Sequence, residues 1–237
     1  MCDRYAIYSS AEELQSRFQL ETHPIVPPRY NAAPSQALPV ITHESPHSLS
    51  FFFWGLDPYL AKGKIISQKA FNAESEKVTK SPLYRLALPS RRCLIPANGF
   101  YLWKKVSKKG QIPYYCHLSN KSVFAMGGLW DEYENPENNK KINTFTLITI
   151  PSNQSLFPLQ NRIPLIFTRE MEEQWLHSKD INELKNMLMQ PIMAETYHYS
   201  VSNMVNKFSI DHEDLILPVK PADQYGNYNL FDWKDIK

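Results

Sequence analysis

The sequence predicts an α+β fold: a single domain in which a mixed β-sheet curls into a barrel, with a few helices around it. Two observations carry this. At least seven short runs rich in β-branched and aromatic residues are separated by turn signals, while only four segments show helical spacing. Proline is abundant, at 18 residues, and glycine scarce, at 7, which favours stiff, irregular connections over long helices. No internal repeat, low-complexity tract or linker divides the 237 residues, so residues 1–237 are expected to form one domain.

Tyr5 to Tyr8 reads as a short strand that places the N-terminus on a packed element. Ser10-Ala-Glu-Glu13 has capping-box form and Leu14, Phe18 and Leu20 continue at helical spacing, predicting a helix over about 11–20. Pro24, Pro27 and Pro28 then enforce an extended approach to Arg29-Tyr-Asn-Ala-Ala-Pro34. Strands are predicted at Leu38–Thr42, Leu49–Trp54, Arg91–Ile95, Gly99–Trp103, Tyr114–Leu118, Val123–Gly127, Thr144–Ile150 and Tyr197–Val201. Helices are predicted at Pro82–Leu88, Arg169–His177 and Ile181–Met189. Residues 219–237 read as a loosely held tail in which Phe231 and Trp233 are the anchoring candidates.

Composition removes several function classes. No segment approaches the roughly 18 apolar residues of a membrane span, and the N-terminus, with Asp3 and Arg4, lacks the apolar core of a secretion signal. Cys2, Cys93 and Cys116 form no Cys-x-x-Cys pair and the seven histidines are scattered along the chain, so no metal site or disulfide framework is expected. No Gly-x-Gly-x-x-Gly or Walker loop is present, and no cofactor is expected. The chain is expected to be cytoplasmic, with reduced thiols, and monomeric. From Lys77 to Gly110 there are nine Lys or Arg, Arg85 among them, and no acid, although the net charge is only +2. Such a block suits a polyanion-facing surface or a solvated strand-and-turn face.

The most telling residue is the second. Initiator methionine is trimmed before small side chains, and loss of Met1 leaves Cys2 with a free α-amine beside its thiol. The amine titrates at about 7.7–8.0 and the thiol at about 8.5 in model compounds, so both offer a nucleophilic fraction near neutral pH. A 1,2-aminothiol attacks amides or esters, or condenses with an aldehyde to an imine that the sulfur closes into a thiazolidine. Asn31, Asn72 and Asn161-Arg162 sit at ends of apolar runs, from which amide and guanidinium groups reach into a cleft. Trp54, followed by Gly55, reads as a stacking ring at a strand end.

Eight segments, taken in order, resemble the SOS-response-associated peptidase (SRAP) family of abasic-site processing proteins. They are Met1-Cys2-x-Arg4, Arg29-Tyr-Asn-Ala-Ala-Pro34, Phe53-Trp-Gly-Leu56, Phe71-Asn-Ala73 with Glu76, Arg92-Cys-Leu-Ile-Pro-Ala97, Gly99-Phe-Tyr with Trp103, Asn161-Arg-Ile-Pro164, and Val201-Ser202 with Val205-Asn206. The resemblance spans residues 1 to about 218. It implies binding of single-stranded DNA and trapping of abasic sites, whose ring-opened sugar presents an aldehyde to the processed Cys2. It further implies that Asn72 holds the opened sugar, that Arg4, Arg29 and Arg162 lie beside phosphates, and that Asn31, Trp54 and Arg85 belong to the DNA-facing set.

The departures from the family pattern matter as much. Leu102 stands where the family has its active-site glutamate, and Gln160 where it has a histidine. Glu74 replaces a usual arginine and Asp3 a usual glycine. Leucine transfers no proton, and a positioned acid or base contributes about 10²–10⁴-fold. Autoproteolysis and crosslink reversal are therefore expected to be feeble, with thiazolidine formation retained, Glu74 or Glu76 being candidate substitute acids. The alternative is an impaired relative that only binds DNA. A remoter alternative, an N-terminal-nucleophile amidotransferase, needs glycine-rich oxyanion loops that seven glycines do not provide.

Overall fold

The computed structural model describes residues 2–55, 71–134, 139–189 and 195–228. Along the chain run β1 (Tyr5–Ile7), α1 (Ala11–Phe18), β2 (Arg29–Ala32), β3 (Ala37–Thr42), β4 (Ser45–Trp54), β5 (Asn72–Glu74), α2 (Ser75–Val78) and α3 (Pro82–Arg85). Then come β6 (Arg92–Ala97), β7 (Gly99–Lys105), β8 (Gln111–Leu118), β9 (Phe124–Glu134) and β10 (Lys141–Pro151). The last are β11 (Arg162–Pro164), α4 (Arg169–His177), α5 (Ile181–Met187) and β12 (Thr196–Ser200), with single 3-10 turns at Asn203–Asn206 and Glu213–Ile216.

The expected curled sheet is a closed barrel. Strands β10, β4, β3, β6 and β9 pair in that order, and β9 pairs back onto β10 from Lys141↔Glu134 to Leu147↔Gly128. Closure leaves this sheet without a free edge between those strands. The barrel is mixed because β10 runs parallel to β4 and then to β5. Thr144 and Phe145 pair with the end of β4, and Leu147, Ile148 and Thr149 pair with Asn72, Ala73 and Glu74. The three residues of β5 thus take over the edge of β10 that β4 vacates. That handover fixes Asn72 against the barrel.

A second, antiparallel sheet has the order β12-β8-β7-β1-β2. It is joined to the barrel at Asn98, between β6 and β7. The Asn98 Oδ1 accepts from the amides of Tyr8 and Ser9, at 2.8 and 3.1 Å, and its Nδ2 donates to Ser9 Oγ. Gly99 follows because a Cβ there would sit 2.3 Å from the Tyr115 ring. The main core lies between sheet and barrel and takes Cys2, Tyr5 and Ile7 from the N-terminus. The other face of the antiparallel sheet packs Ala6, Tyr101 and Tyr115 against Val201, Val205 and Leu215.

Most predicted elements stand close to their expected bounds, with three corrections. The helix expected over Pro82–Leu88 stops at Arg85 and continues as turns, before Pro89. The strand expected over Val123–Gly127 runs on to Glu134, because Gly127 and Gly128 let β9 cross its neighbours closely; a Cβ on Gly128 would meet the Thr146 carbonyl oxygen at 2.8 Å. The loose tail does not begin at 219. Val219 N–H donates to the Ser200 carbonyl, and Asn203 Nδ2 donates to the carbonyls of Ala222 and Asp223. Phe231 and Trp233 lie outside the described residues. No described helix is long and apolar enough to cross a membrane.

Candidate functional site

Cys2 lies three residues before β1 and is fully buried. Its thiol donates to the Arg4 carbonyl at 3.5 Å. Burial, with the Asp3 carboxylate second, pushes that thiol up to about 12, against the pull of the positive amino terminus. At neutral pH roughly one thiol in 10⁵ is ionised at such a value. The sulfur therefore needs a proton acceptor, whereas an α-amine at Cys2 would be nucleophilic at its ordinary value.

The structure brings Asn72 to Cys2. Asn72 Nδ2 donates to the Cys2 carbonyl at 2.6 Å across 70 residues of sequence. Its Oδ1 is buried and has no hydrogen-bond partner among the described residues. An orphaned acceptor beside a buried thiol suits a donor from an incoming ligand.

Arg4 is largely buried, its guanidinium 3.7 Å from the Phe208 ring centroid and its Nε donating to Asn31 Oδ1 at 3.0 Å. Asn31 corrects the expectation of a DNA contact. It is wholly buried, and its Nδ2 donates to the carbonyls of Val205, Lys207 and Ile210. The amide thus buckles β2 to the 205–210 loop and aims Arg4. Arg29 pairs with Asp211 at 3.1 Å and keeps a 43% exposed side chain. Arg85 is exposed on α3.

Trp54 is a second correction. Alternation along β4 turns Phe51 and Phe53 outward and Phe52 and Trp54 inward. The indole stacks on Phe145, tilts against Tyr5 and donates from Nε1 to the Phe71 carbonyl at 2.9 Å. With no exposed face it offers no platform to a base. It forms part of the floor beneath β1.

Neither substitute acid is free for that work. Glu76 accepts both Nη atoms of Arg162, at 3.2 and 2.8 Å, and the guanidinium holds its carboxyl below the ordinary range. A carboxyl held ionised in this way is a poor proton donor. Glu74 is paired with Lys77 at 2.9 Å. Arg162 is anchored further by Thr149, through Oγ1 at 3.1 Å and the carbonyl at 2.6 Å. Leu102 is fully buried in β7, within the same apolar core as Cys2. Among the described residues no three His, Cys, Asp or Glu side chains gather to hold a metal ion.

Three members of the basic block are taken up within the fold. Arg92 is buried and donates to five backbone carbonyls, Arg91 pairs with Asp131, and Lys77 is taken by Glu74. Sequence reasoning also underweighted residues next to the nucleophile. Asp3, Arg4, Trp103 and Phe208 line an open cavity of about 390 Å³. Phe208, 65% exposed, is the aromatic surface near Arg4 that Trp54 is not. The signal for Asp3 was present, as a carboxylate at a usual glycine position.

The geometry agrees with what comparison finds. Residues 1–208 match the model of the family described as SOS response associated peptidase (SRAP). The abasic site processing protein YoqW of Bacillus subtilis (strain 168) is 34% identical over 224 residues, covering 91% of this chain and 99% of the relative. The abasic site processing protein HMCES of Xenopus tropicalis is 27% identical over 250 residues, covering 89% of this chain and 73% of the relative. A crystal structure of a protein from Bacteroides thetaiotaomicron shares the fold, with a TM-score of 0.82 at 24% identity over 92% of this chain and 100% of the other. With a family match over residues 1–208 and a relative 34% identical over nearly its whole length, the chain belongs to the SRAP family.

Proposed function

We propose that this protein binds single-stranded DNA and traps abasic sites covalently through Cys2 after removal of Met1, in the response to DNA damage. The supporting observation is the Asn72–Cys2 clasp at 2.6 Å, in a chain whose relatives are named abasic site processing proteins. The aldehyde of a ring-opened abasic sugar is the electrophile that a 1,2-aminothiol captures. The α-amine adds first, because the buried thiol stays protonated at neutral pH. Sulfur then closes the ring. Exposed Arg85 and half-exposed Arg29 supply positive charge toward the phosphate backbone, which dominates affinity for nucleic acid, while Arg162 is held by Glu76.

The test is direct. Loss of Met1 is confirmed by intact mass, and the protein is incubated with single-stranded DNA carrying a single abasic site. An SDS-resistant band that needs both Cys2 and the lesion is expected, with Cys2→Ala and intact DNA as controls. The buried thiol and Leu102 favour one second reading, a relative that binds DNA without trapping it. A free Cys2 that yields no band while intact single-stranded DNA still binds would select that reading.

A further inference from the structure

We propose that Asp3 supplies the acid–base function for trapping the aldehyde, in place of the carboxyl that Leu102 lacks. This inference rests on the covalent function proposed above. Three observations carry it. The pairing of β1 with β7 runs Tyr5↔Phe100 and Ala6↔Gly99, and the bond from Tyr101 N–H to the Arg4 carbonyl, at 3.0 Å, continues the ladder toward the N-terminus. Carried back along β1, that register sets Asp3 opposite Leu102. The position that lost a carboxyl and the position that gained one face each other across two strands.

Second, Asp3 Oδ1 is buried without a hydrogen-bond partner among the described residues, and the residue lines the open cavity beside Arg4. A buried, unspent carboxylate oxygen is costly unless a ligand or proton uses it. Third, Asp3 interacts electrostatically with both the Cys2 thiol and the amino terminus. Removal of Met1 brings the amine one residue closer. Glu76, by contrast, is held ionised by Arg162, and Glu74 is paired with Lys77.

The charged and titratable groups facing Asp3 are the Arg4 guanidinium, the Cys2 thiol and the amino terminus. The remaining lining side chains, Trp103 from β7, Gln111 from β8, and Asn206, Phe208 and Gln224 from the C-terminal segment, carry no charge. Burial, the largest influence, raises the Asp3 carboxyl above its ordinary value, while Arg4 and the amine oppose the shift. A raised carboxyl holds a larger protonated fraction near neutral pH, as a general acid requires.

The proposed steps balance as follows. The Cys2 amine adds to the aldehyde carbon, forming the C–N bond, and a proton passes from nitrogen to the former carbonyl oxygen. Protonated Asp3 gives its proton to the resulting hydroxyl, which leaves as water while the nitrogen lone pair forms the iminium. The Asp3 carboxylate then takes the thiol proton. Sulfur bonds the same carbon, and the C=N π pair returns to nitrogen. Water is the only product lost, and Asp3 ends protonated, as it began.

The experiment compares wild type, Asp3→Asn, Asp3→Glu and Asp3→Gly, each with Met1 loss confirmed by mass. Single-turnover crosslinking to abasic single-stranded DNA is followed at saturating protein, across the pH range of the carboxyl and thiol titrations. Binding to intact single-stranded DNA is measured in parallel. Asp3→Asn and Asp3→Gly should be about 10²-fold slower near neutral pH, without the carboxyl-dependent limb, and Asp3→Glu should recover much of the rate. Electrostatics alone predict the opposite sign, since removing the Asp3 charge lowers the Cys2 thiol and would speed the reaction. An Asp3→Asn protein with the wild-type rate and pH profile, or a faster one, overturns the assignment while leaving the trapping function standing. Absence of any crosslink with wild type overturns both.

Discussion

Asn72 is where geometry predicts the sharpest kinetic effect. Its amide gives the Cys2 carbonyl a 2.6 Å hydrogen bond in a buried setting, and Asn72 is itself 8% exposed. Asn72→Ala strips that carbonyl of its donor. Leaving a buried acceptor unmade costs about 1–3 kcal/mol. If the bond holds the Cys2 backbone in its attacking position, the cost falls on the chemical step, and about 1.4 kcal/mol is tenfold in rate. Crosslinking at saturating DNA should therefore slow by about 5- to 150-fold, with affinity for intact DNA little changed. Asn72→Asp adds a signature. An ionised carboxylate would oppose the carbonyl oxygen, whereas a protonated one donates an O–H to it. Burial and that repulsion raise the introduced acid, so its rate relative to wild type should recover as pH falls. Single-turnover gel assays at several pH values read both effects. A wild-type rate for Asn72→Ala, or a relative rate for Asn72→Asp that ignores pH, would refute the positioning role.

Further outcomes follow from other contacts. Glu76→Gln frees Arg162 from its carboxylate partner while keeping the Thr149 bonds, so affinity for single-stranded DNA should rise and its salt slope steepen by about 0.7. The crosslinking rate at saturation should hold; its collapse would make Glu76 the acid after all. Arg92→Met orphans five carbonyls, two of them in α4 and a third at its end, and should cost about 3 kcal/mol or more, roughly 6–12 °C in Tm by thermal denaturation. Burial raises the thiols of Cys2, Cys93 and Cys116, so the folded state resists their ionisation while the unfolded chain ionises near 9.0. Stability should be intact below that pH and fall as pH rises toward about 12, a loss that Cys116→Ala should reduce in denaturant titrations at alkaline pH.

Elements whose signals are local were legible in the sequence. Ser10-Ala-Glu-Glu13 announced α1, and Ser10 Oγ does accept from the Glu13 amide at 3.1 Å. What sequence could not reveal is set by distant partners. Phe51-Phe-Phe-Trp54 is apolar at every position, so no polar alternation tells which rings turn inward. Strands β5 and β11, three residues each, exist because β10 offers them an edge, and so short a stretch shows no periodicity. Arg162 looked available to phosphate because its partner Glu76 lies 86 residues away. Asn31 was rightly singled out as a polar group at the end of an apolar run. Its three carbonyl partners, 174 to 179 residues on, make it structural.

The changes around Cys2 belong together. A glutamate at position 102 would lie within the apolar core that encloses the Cys2 thiol, and a second carboxylate at position 3 would face it across β1 and β7. Like charges so placed cannot both ionise cheaply. With Leu102 present, the region keeps a single carboxyl beside the nucleophile, and the apolar surroundings keep the thiol protonated until a base collects its proton. For the proposed trapping this sets an order: the amine attacks, and sulfur follows. The same surroundings act on the product. Reopening a thiazolidine requires proton delivery to its sulfur, and Leu102 provides none. By reversal of the proposed ring closure that proton comes from Asp3 alone, so the proposed linkage should outlast one served by two titratable groups, which suits a protein that shields a lesion more than one that turns over.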